Sequence, residues 1–507
     1  MRIAFVHAQR HIDAIHEPAR GGIQIGPVLM GSLLAEKGHE VHYLDESVRG
    51  SSWDRRAMSV RRLDPSVRGI WERPFDGTWK DAQDEKMADF RGMTTSEFVA
   101  KWSAFKADGS VERIVARIGV PEDETIEYLR GLRPVVVGIP LAPSANYLSA
   151  TSLGRRIKRE LPGIRVVMGG QHITADPETF LRDNPWVDYV AAGDAITTIE
   201  AMIDGSHKGK IVQGGFQTMD RYPLMNCDLF AGAGYPERPT HSYPSGLRSV
   251  DWMASRGCYR DCAFCFAGRK EQAVTQSTWD RIRAQLDHFV SRGIQEIVLQ
   301  DDAVLYQSKR FFLPLLEEMK ARGLSFSDNG GVEFESFGEE VTDAIVRYNA
   351  DPRPGRCVAL YVPFNPRGWN KMSTAAGSMV KRYHQNLENL ARARAAGVYV
   401  FTSLIVGTPD QTRAMFDEDL DVVRGLIVDG YLDAALPLSA TMLPGTDWHA
   451  SNGHNIVHPD DWVGYNLFST HHRTDHMSPR DIEECMVRSV QFLSDVQTIG
   501  PWQCAYA

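Results

Sequence analysis

Apolar residues in the first part of the chain fall in short unbroken runs, separated by stretches in which they recur at helical spacing. Arg2-Ile-Ala-Phe-Val-His7 predicts a buried strand, Val28 to Lys37 an amphipathic helix closed by Gly38, and Glu40-Val-His-Tyr-Leu-Asp45 the next strand. Strand, helix, strand at this density opens a parallel α/β sheet. The rhythm returns with the apolar run Pro134 to Leu141, a helix from about Asn146 to Arg159, the run Ile164 to Gly170 and the run Val187 to Asp194 before a further helix. Between them, from about 50 to 125, lies an insertion rich in charge, Trp and Met, read as an extended connection followed by one or two helices whose aromatics pack on the sheet.

Residues 206–248 are turn-rich and read as a linker. A second series of apolar strands follows at Ser249–Ala254, Ile294–Asp302, Phe326–Phe334, Val358–Phe364, Val398–Gly407 and Asp433–Ser439, with a helix from Lys309 to Arg322 among the connections. Six β/α units predict a partial barrel over 249–450, whose active groups sit at the carboxyl ends of the strands. Residues 451–507 form a helical extension, with Ser478-Pro-Arg-Asp481 as a helix start and Ile482, Met486, Val490 and Phe492 on its packing face. The fold class is thus α/β, a doubly wound Rossmann-like domain over 1–205 followed by the partial barrel.

Composition narrows the class. The chain has 507 residues, enough for two or three domains, with 43% hydrophobic and 24% charged residues as in soluble globular proteins. A net charge of −9 argues against a nucleic-acid partner. No signal-peptide h-region and no run of about 20 apolar residues is present, so a cytoplasmic protein without a membrane span is expected. The glycines Gly21, Gly22 and Gly26 do not make a G-x-G-x-x-G fingerprint, so no nicotinamide cofactor is expected.

The chemistry concentrates in Ser255-Arg-Gly-Cys-Tyr-Arg-Asp-Cys-Ala-Phe-Cys265, where three cysteines stand at C-x3-C-x2-C. Three thiols in one tight loop can converge on a four-iron cluster, and without a fourth cysteine at matching spacing one iron stays open. A zinc site would show a second C-x2-C pair or histidines at set distances, and 7 cysteines in so long a chain do not make a disulfide framework. Cys227, Cys357, Cys485 and Cys504 are scattered and read as small buried hydrophobes.

The motif resembles the radical S-adenosylmethionine (SAM) superfamily. The resemblance implies that Cys258, Cys262 and Cys265 hold a [4Fe–4S] cluster, with the aromatic Phe264 before the last ligand, and that SAM chelates the open iron and is cleaved there by one electron. It also implies SAM contacts at strand ends: Gln300, Asp301 and Asp302 near the amino group, one of the two acids capping the next helix instead; Asn365, in place of an acid, toward the ribose or substrate; Ser403; and Gly407 against the adenine. Val406-Gly-Thr-Pro-Asp-Gln-Thr412 is similar to the family's Gly-x-Pro-x-Glu-Thr turn with Gln411 for the acid, and Met442-Leu-Pro-Gly-Thr446 to its Leu-x-Pro-Gly-Thr.

Residues 1–205 resemble the cobalamin-binding domain that precedes the radical module in the B12-binding branch. Ligands of such sheets lie beyond the strands' carboxyl ends, which would place Ser144, Asn146, Gly169, Gly170 and Gly193 at cobalamin. Two departures stand out: no Asp-x-His-x-x-Gly element offers a histidine to cobalt, and Gly193-Asp-Ala-Ile196 replaces the branch's usual Gly-Glu-Gly-Glu. His471, His472 and His476 lack a companion ligand frame and read as exposed loop histidines. The implied function is hydrogen abstraction from a small-molecule substrate followed by methyl transfer from methylcobalamin in a biosynthetic pathway, with a flavodoxin- or ferredoxin-type electron donor. Two other readings stay open: a radical dehydratase or ring-rearrangement enzyme that does not use cobalamin for methyl transfer, and a non-enzymatic iron–sulfur electron carrier.

Overall fold

The apolar runs become strands of two parallel sheets because continuous hydrophobic segments are stable only when both faces are covered, as helices cover them in β/α units. The computed structural model describes residues 1–13, 16, 23–47, 59–64, 69–74, 92–230, 245–266, 273–364, 366 and 378–497. The chain divides into two compact units, one of Met1–Tyr235, Cys262–Phe266 and Thr441–Arg473, the other of Pro236–Asp261, Ala267–Ala440 and Thr474–Ala507.

In the first unit the strands in chain order are β1 (Arg2–His7), β2 (Arg10–Asp13), β3 (Glu40–Asp45), β4 (Ser59–Asp64), β5 (Gly69–Pro74), β6 (Arg113–Ile118), β7 (Val136–Pro140), β8 (Arg165–Gly169), β9 (Tyr189–Gly193) and β10 (Ile211–Gly214). Six of them pair in the order β10-β9-β8-β7-β1-β3, all parallel. The order reverses between β1 and β7, so a ligand crevice is expected beyond their carboxyl ends. Val137, Val166, Met168 and Val190 of the sheet bury against Leu153 and Ile157 of the helix Tyr147–Glu160. Each such side chain contributes about 1.5–3 kcal/mol when fully buried.

The insertion departs from the expected connection and helices. Among its described residues the helix Thr95–Trp102, opened by a capping box of Thr94 and Glu97, matches that reading; β4, β5 and β6 instead join β2 in an antiparallel sheet of order β2-β6-β4-β5. Arg113-Ile-Val-Ala-Arg-Ile118 had too short an alternation to register as a strand, and its partner β2 is a hundred residues earlier. Arg113 is fully buried there, donating to Asp13 Oδ2 at 2.9 Å, to Asp461 Oδ2 at 2.5 Å and to the Thr470 carbonyl. Tyr147 stacks on Trp462 at 4.7 Å. These contacts tie Thr441–Arg473 into the first unit, and a buried guanidinium shared by two carboxylates is costly to break on either side.

The second unit carries β11 (Ser249–Trp252), β12 (Ser255–Arg256), β13 (Thr275–Gln276), β14 (Glu296–Leu299), β15 (Ser325–Asp328), β16 (Cys357–Tyr361), β17 (Tyr399–Val406) and β18 (Ala434–Ser439). β11, β14, β15, β16, β17 and β18 pair in sequence order, all parallel. This is the expected six-unit β/α series, with helices including Trp279–Ser291, Phe312–Ala321, Glu339–Ala350 and Arg413–Val428 between strands. β15 ends at Asp328, well short of Phe334, because the chain turns at Gly330 and Gly331 and enters a single 3-10 turn at Phe334–Ser336. The helix Pro479–Ser494 begins as expected, with a Ser478–Asp481 capping box and Pro at its first turn, and buries Ile482 and Met486.

Candidate active site

The approach to the cysteines is held by the end of the neighbouring strand. Asp301 follows β14 and has no exposed surface; its Oδ1 accepts from the Ser255 N–H at 2.5 Å and the Ser255 hydroxyl at 2.5 Å, and its Oδ2 from the Ala254 N–H at 3.2 Å. Asp302 Oδ2 accepts from the Gly257 N–H at 2.8 Å. Two carboxylates thus grip three of the four backbone amides at 254–257 that lead into Cys258. Burial pushes the Asp301 carboxyl up to about 7, against the pull of Ser255 and the Ala254 amide. Gly257 is required because its φ is +92° and a Cβ would come within 2.6 Å of the Ala273 carbonyl.

This geometry corrects the helix-cap reading for either acid. The next helix begins at Phe312 with no side-chain cap, too far along the chain for Asp301 or Asp302 to reach as an N-cap. Gln300 donates to Asp251 Oδ1 at 2.6 Å. Within the second unit the Arg260 N–H points at Cys258 Sγ, 3.4 Å away, and the Arg260 and Tyr259 side chains bond Glu333. Within the first unit Cys265 N–H closes a turn on the Cys262 carbonyl at 2.9 Å, the Trp448 N–H donates to Ala263 O at 2.9 Å, and Phe264 lies 5.3 Å from the Trp448 ring. Cys262 is exposed, and Cys258 and Cys265 are half-buried. Among the described residues no three His, Cys, Asp or Glu side chains converge as they would around one metal ion. A four-iron cube asks for less, since each thiol binds a different iron.

The other strand-end residues of this unit are placed as follows. Ser403 shares a hydrogen bond of 2.7 Å with the Tyr361 hydroxyl. Gly407, at φ +82°, donates its N–H to Gln411 Oε1 at 2.6 Å, and Gln411 in turn donates to Asp419 at 3.0 Å. The amide at 411 therefore shapes the turn with its oxygen as an acid would. Asn365 lies outside the described residues. Asp328, at the end of β15, escaped the sequence reading because the strand was extended through it; it is buried, and burial raises its carboxyl well above the usual range.

In the first unit Ser144 follows β7, and its hydroxyl meets His172 Nδ1 at 2.9 Å. His172, after the Gly169-Gly170 pair of β8, was missed by the sequence reading; burial lowers its pKa to about 4, and its ring lies edge-on to Tyr147 and Trp462. The glycines serve close backbone approach: a Cβ on Gly169 would come within 3.0 Å of Ala191 O, on Gly170 within 2.5 Å of Leu141 O, and on Gly193 within 2.3 Å of Gly214 O. Asn146 is buried in the 3-10 turn Ser144–Asn146 before the helix. Ser144, Gly169, Gly170 and His172 are thus brought together at the ends of β7 and β8, with Gly193 at the next strand end.

The histidines near the carboxyl end correct another expectation. His476 is exposed, but His471 and His472 are buried, and His471 Nε2 accepts from the Met442 N–H at 3.3 Å. A neutral ring that accepts one bond can be buried where a charged one cannot, and burial holds His471 well below its ordinary pKa. Cys227, Cys357 and Cys485 are buried as expected, while Cys504 lies outside the described residues.

Two parallel-sheet units, one doubly wound and one a β/α series with a three-cysteine loop after its first strand, define the class. The B12 binding domain family matches residues 103–203, and the radical SAM superfamily matches residues 252–423. The chain carries a B12-binding domain followed by a radical SAM domain. These domains imply a [4Fe–4S] cluster, SAM and cobalamin as cofactors. Among curated proteins the chain is 24% identical over 388 residues to an uncharacterized methyltransferase of Pyrococcus horikoshii, covering 73% of this chain and 81% of that protein. It is 26% identical over 306 residues to a tRNA-2-methylthio-N(6)-dimethylallyladenosine synthase of Mycobacterium ulcerans, covering 57% of this chain and only 52% of that protein. In fold it is similar to the cobalamin-dependent SAM radical enzyme OxsB, with a TM-score of 0.54 at 12% identity, covering 92% of this chain and 64% of that one. The radical SAM methyltransferase TsrM from Kitasatospora setae, with cobalamin and [4Fe–4S] cluster bound, gives a TM-score of 0.54 at 12% identity, covering 98% and 88%. Among the described residues no helix is long and apolar enough to cross a membrane.

Proposed function

We propose that this chain is a cobalamin-dependent radical SAM methyltransferase that methylates carbon in a small-molecule substrate of a biosynthetic pathway, drawing electrons from a flavodoxin- or ferredoxin-type protein. The observation that carries the reading is the presence in one chain of a B12-type sheet and of a β/α unit whose strand-end carboxylates grip the lead-in to a three-cysteine loop. When bound, the cluster supplies the electron that cleaves SAM, and the corrin supplies a transferable methyl group.

The chain's own residues do the rest. Cys258, Cys262 and Cys265 hold the cluster, and Asp301 and Asp302 fix the backbone that presents the first of them. The Arg260 N–H, aimed at Cys258 Sγ, favours the more negative, reduced cluster and so raises its potential. The Gly407 turn, held open by Gln411, leaves backbone for the adenine, and Ser403 with Tyr361 offers hydroxyls to substrate or ribose. Ser144, Asn146, Gly169, Gly170 and Gly193 frame the corrin. The fit rests on chemistry already present: three cysteines in one loop, and strand-end glycines that bring backbone close together beside polar side chains.

Turnover with SAM carrying a deuterated methyl group, over a panel of small-molecule substrates, tests the reading. The expected result is a product heavier by the labelled methyl group, formed only with cobalamin present. Products changed in mass by loss of water, or isomeric with the substrate, formed equally well without cobalt, would replace methylation by the dehydratase or rearrangement chemistry.

A further inference from the structure

The strand at which the first sheet reverses ends on an incomplete polar group. His7, the last residue of β1, pairs in register with Asp45, the last of β3. His7 Nδ1 meets Asp45 Oδ1 at 3.1 Å, and the same oxygen accepts from the Ser47 hydroxyl at 2.5 Å and the Ser47 N–H at 3.0 Å. An oxygen that already accepts two donors is an acceptor toward the imidazole as well, so the proton sits on Nδ1 and the Nε2 lone pair faces away from Asp45. His7 is 6% exposed, and its Nε2 is buried with no hydrogen-bond partner among the described residues. Two residues on, Gln9 is 3% exposed, and its Oε1 is likewise buried without a partner among the described residues.

Two orphaned polar atoms within three residues are costly, each at the scale of a lost hydrogen bond, and native interiors rarely keep them unless something else completes them. They lie at and just past the end of β1, one of the two strands flanking the reversal of order, where ligands of doubly wound sheets bind. An imidazole with one nitrogen on a carboxylate and the other free is the arrangement of a metal-ligating histidine, in which the carboxylate fixes the tautomer and raises the basicity of the donor.

From this we infer that His7 is an axial ligand to the cobalt of a bound corrin, through Nε2, with Asp45 and Ser47 as its supporting relay and Gln9 meeting one of the corrin's peripheral amides. The ligand that the missing Asp-x-His-x-x-Gly element would have offered is supplied instead from the end of the first strand, with its carboxylate coming from β3 rather than from the same loop. The inference rests on the cobalamin reading above.

The test is electron paramagnetic resonance of the full chain loaded with cobalamin and reduced to the cobalt(II) state. The expected cobalt lines are each split into a triplet by one axial nitrogen, and the triplet becomes a doublet when the protein is grown on 15N-histidine, which separates a protein imidazole from the corrin's own base. His7→Ala abolishes the splitting while corrin is retained, and Asp45→Asn alters it. A spectrum with no nitrogen splitting, or a triplet unmoved by 15N-histidine, overturns the assignment of His7 while leaving the cobalamin reading in place. Protein that holds no corrin through gel filtration overturns both.

Discussion

The polar side chains nearest the cysteine loop and those at the end of β1 are handled differently, although the second sheet too buries an atom, Asp328 Oδ2, with no partner among the described residues. In the second unit Asp301, Asp302 and Gln411 are satisfied by the protein's own backbone: their acceptors go to the lead-in of the cysteine loop and to the Gly407 turn. In the first unit His7 Nε2 and Gln9 Oε1 are buried without partners among the described residues, and the glycines allow backbone to meet backbone. The difference follows from what each end must hold. A cluster is bound through thiols and needs its loop fixed in advance, so the polar groups are spent on the loop. A corrin of the reading given above would be met directly by strand-end groups, so some of them stay open.

The largest effect expected at the satisfied end is from the thiols themselves. Replacing Cys258, Cys262 or Cys265 by Ala should abolish the oxygen-sensitive brown chromophore and 5′-deoxyadenosine formation, whereas Cys227→Ala, Cys357→Ala and Cys485→Ala should leave cluster assembly intact. Any one of the first three variants that cleaves SAM at the parent rate would remove that cysteine from the ligand set.

Next is the grip on the loop. Asp301→Ala orphans the Ser255 and Ala254 amides and should cost about 2–5 kcal/mol in the second unit, read as a fall in denaturation midpoint together with low iron content after reconstitution. Asp302→Ala loses one amide contact, to Gly257, and should cost about 1–2 kcal/mol. If both variants kept full iron content and weakened only SAM binding, these carboxylates would serve the SAM amino group after all.

At the open end the contrast sharpens with Gly170 and Ser144. A branched side chain at Gly170 meets the Leu141 carbonyl at a φ of +127°, so Gly170→Val should destabilise the unit by several kcal/mol, roughly the sum of a backbone strain and a clash, with or without corrin. Ser144→Ala leaves the fold and loses only its bond to His172; it should shift the melting temperature little and weaken corrin retention.

The pH dependence is spread over several pH units, and in it the two units should oppose each other. Asp301 has its folded pKa raised from 3.8 to about 7, so it favours the folded state fully at low pH, and that contribution is lost as pH rises from about 4 to 7, by up to about 1.4 kcal/mol per unit. His172 has its pKa lowered from 6.5 to about 4, so its contribution is present above 6.5 and is lost as pH falls toward 4. Asp301→Asn should flatten the first slope and His172→Gln the second, as read by chemical denaturation at several pH values.

Much of this architecture was legible in the sequence, because buried parallel strands announce themselves as apolar runs. Five of the six strands of the first sheet, the second sheet with its order and the cysteine loop could be read from local pattern alone, whereas the edge strand β10 lies in the stretch 206–248 read as a linker. What escaped depends on residues distant in the chain. The antiparallel sheet pairs Arg10–Asp13 with Arg113–Ile118, and Arg113 reaches Asp461 and Thr470, contacts that no window of local periodicity contains. His471 read as exposed for the same reason: its burial comes from packing with Met442 and Tyr465 rather than from its neighbours in sequence. At the site, Gln300-Asp-Asp302 drew notice by charge at a strand end, but only geometry shows the two acids turned toward amides 254, 255 and 257. His7 looked like the polar end of a strand until its pairing with Asp45 was seen.

The central claim is that one chain holds both cofactors and uses both. It is tested most directly by measuring iron and cobalt in the same anaerobically reconstituted, gel-filtered protein and then following product formation with cobalt present or withheld. The account predicts about four irons, as one [4Fe–4S] cluster requires, and about one cobalt in the single crevice of the first sheet, with methylated product absent when cobalt is withheld. Full turnover by protein that contains iron and no cobalt would contradict it.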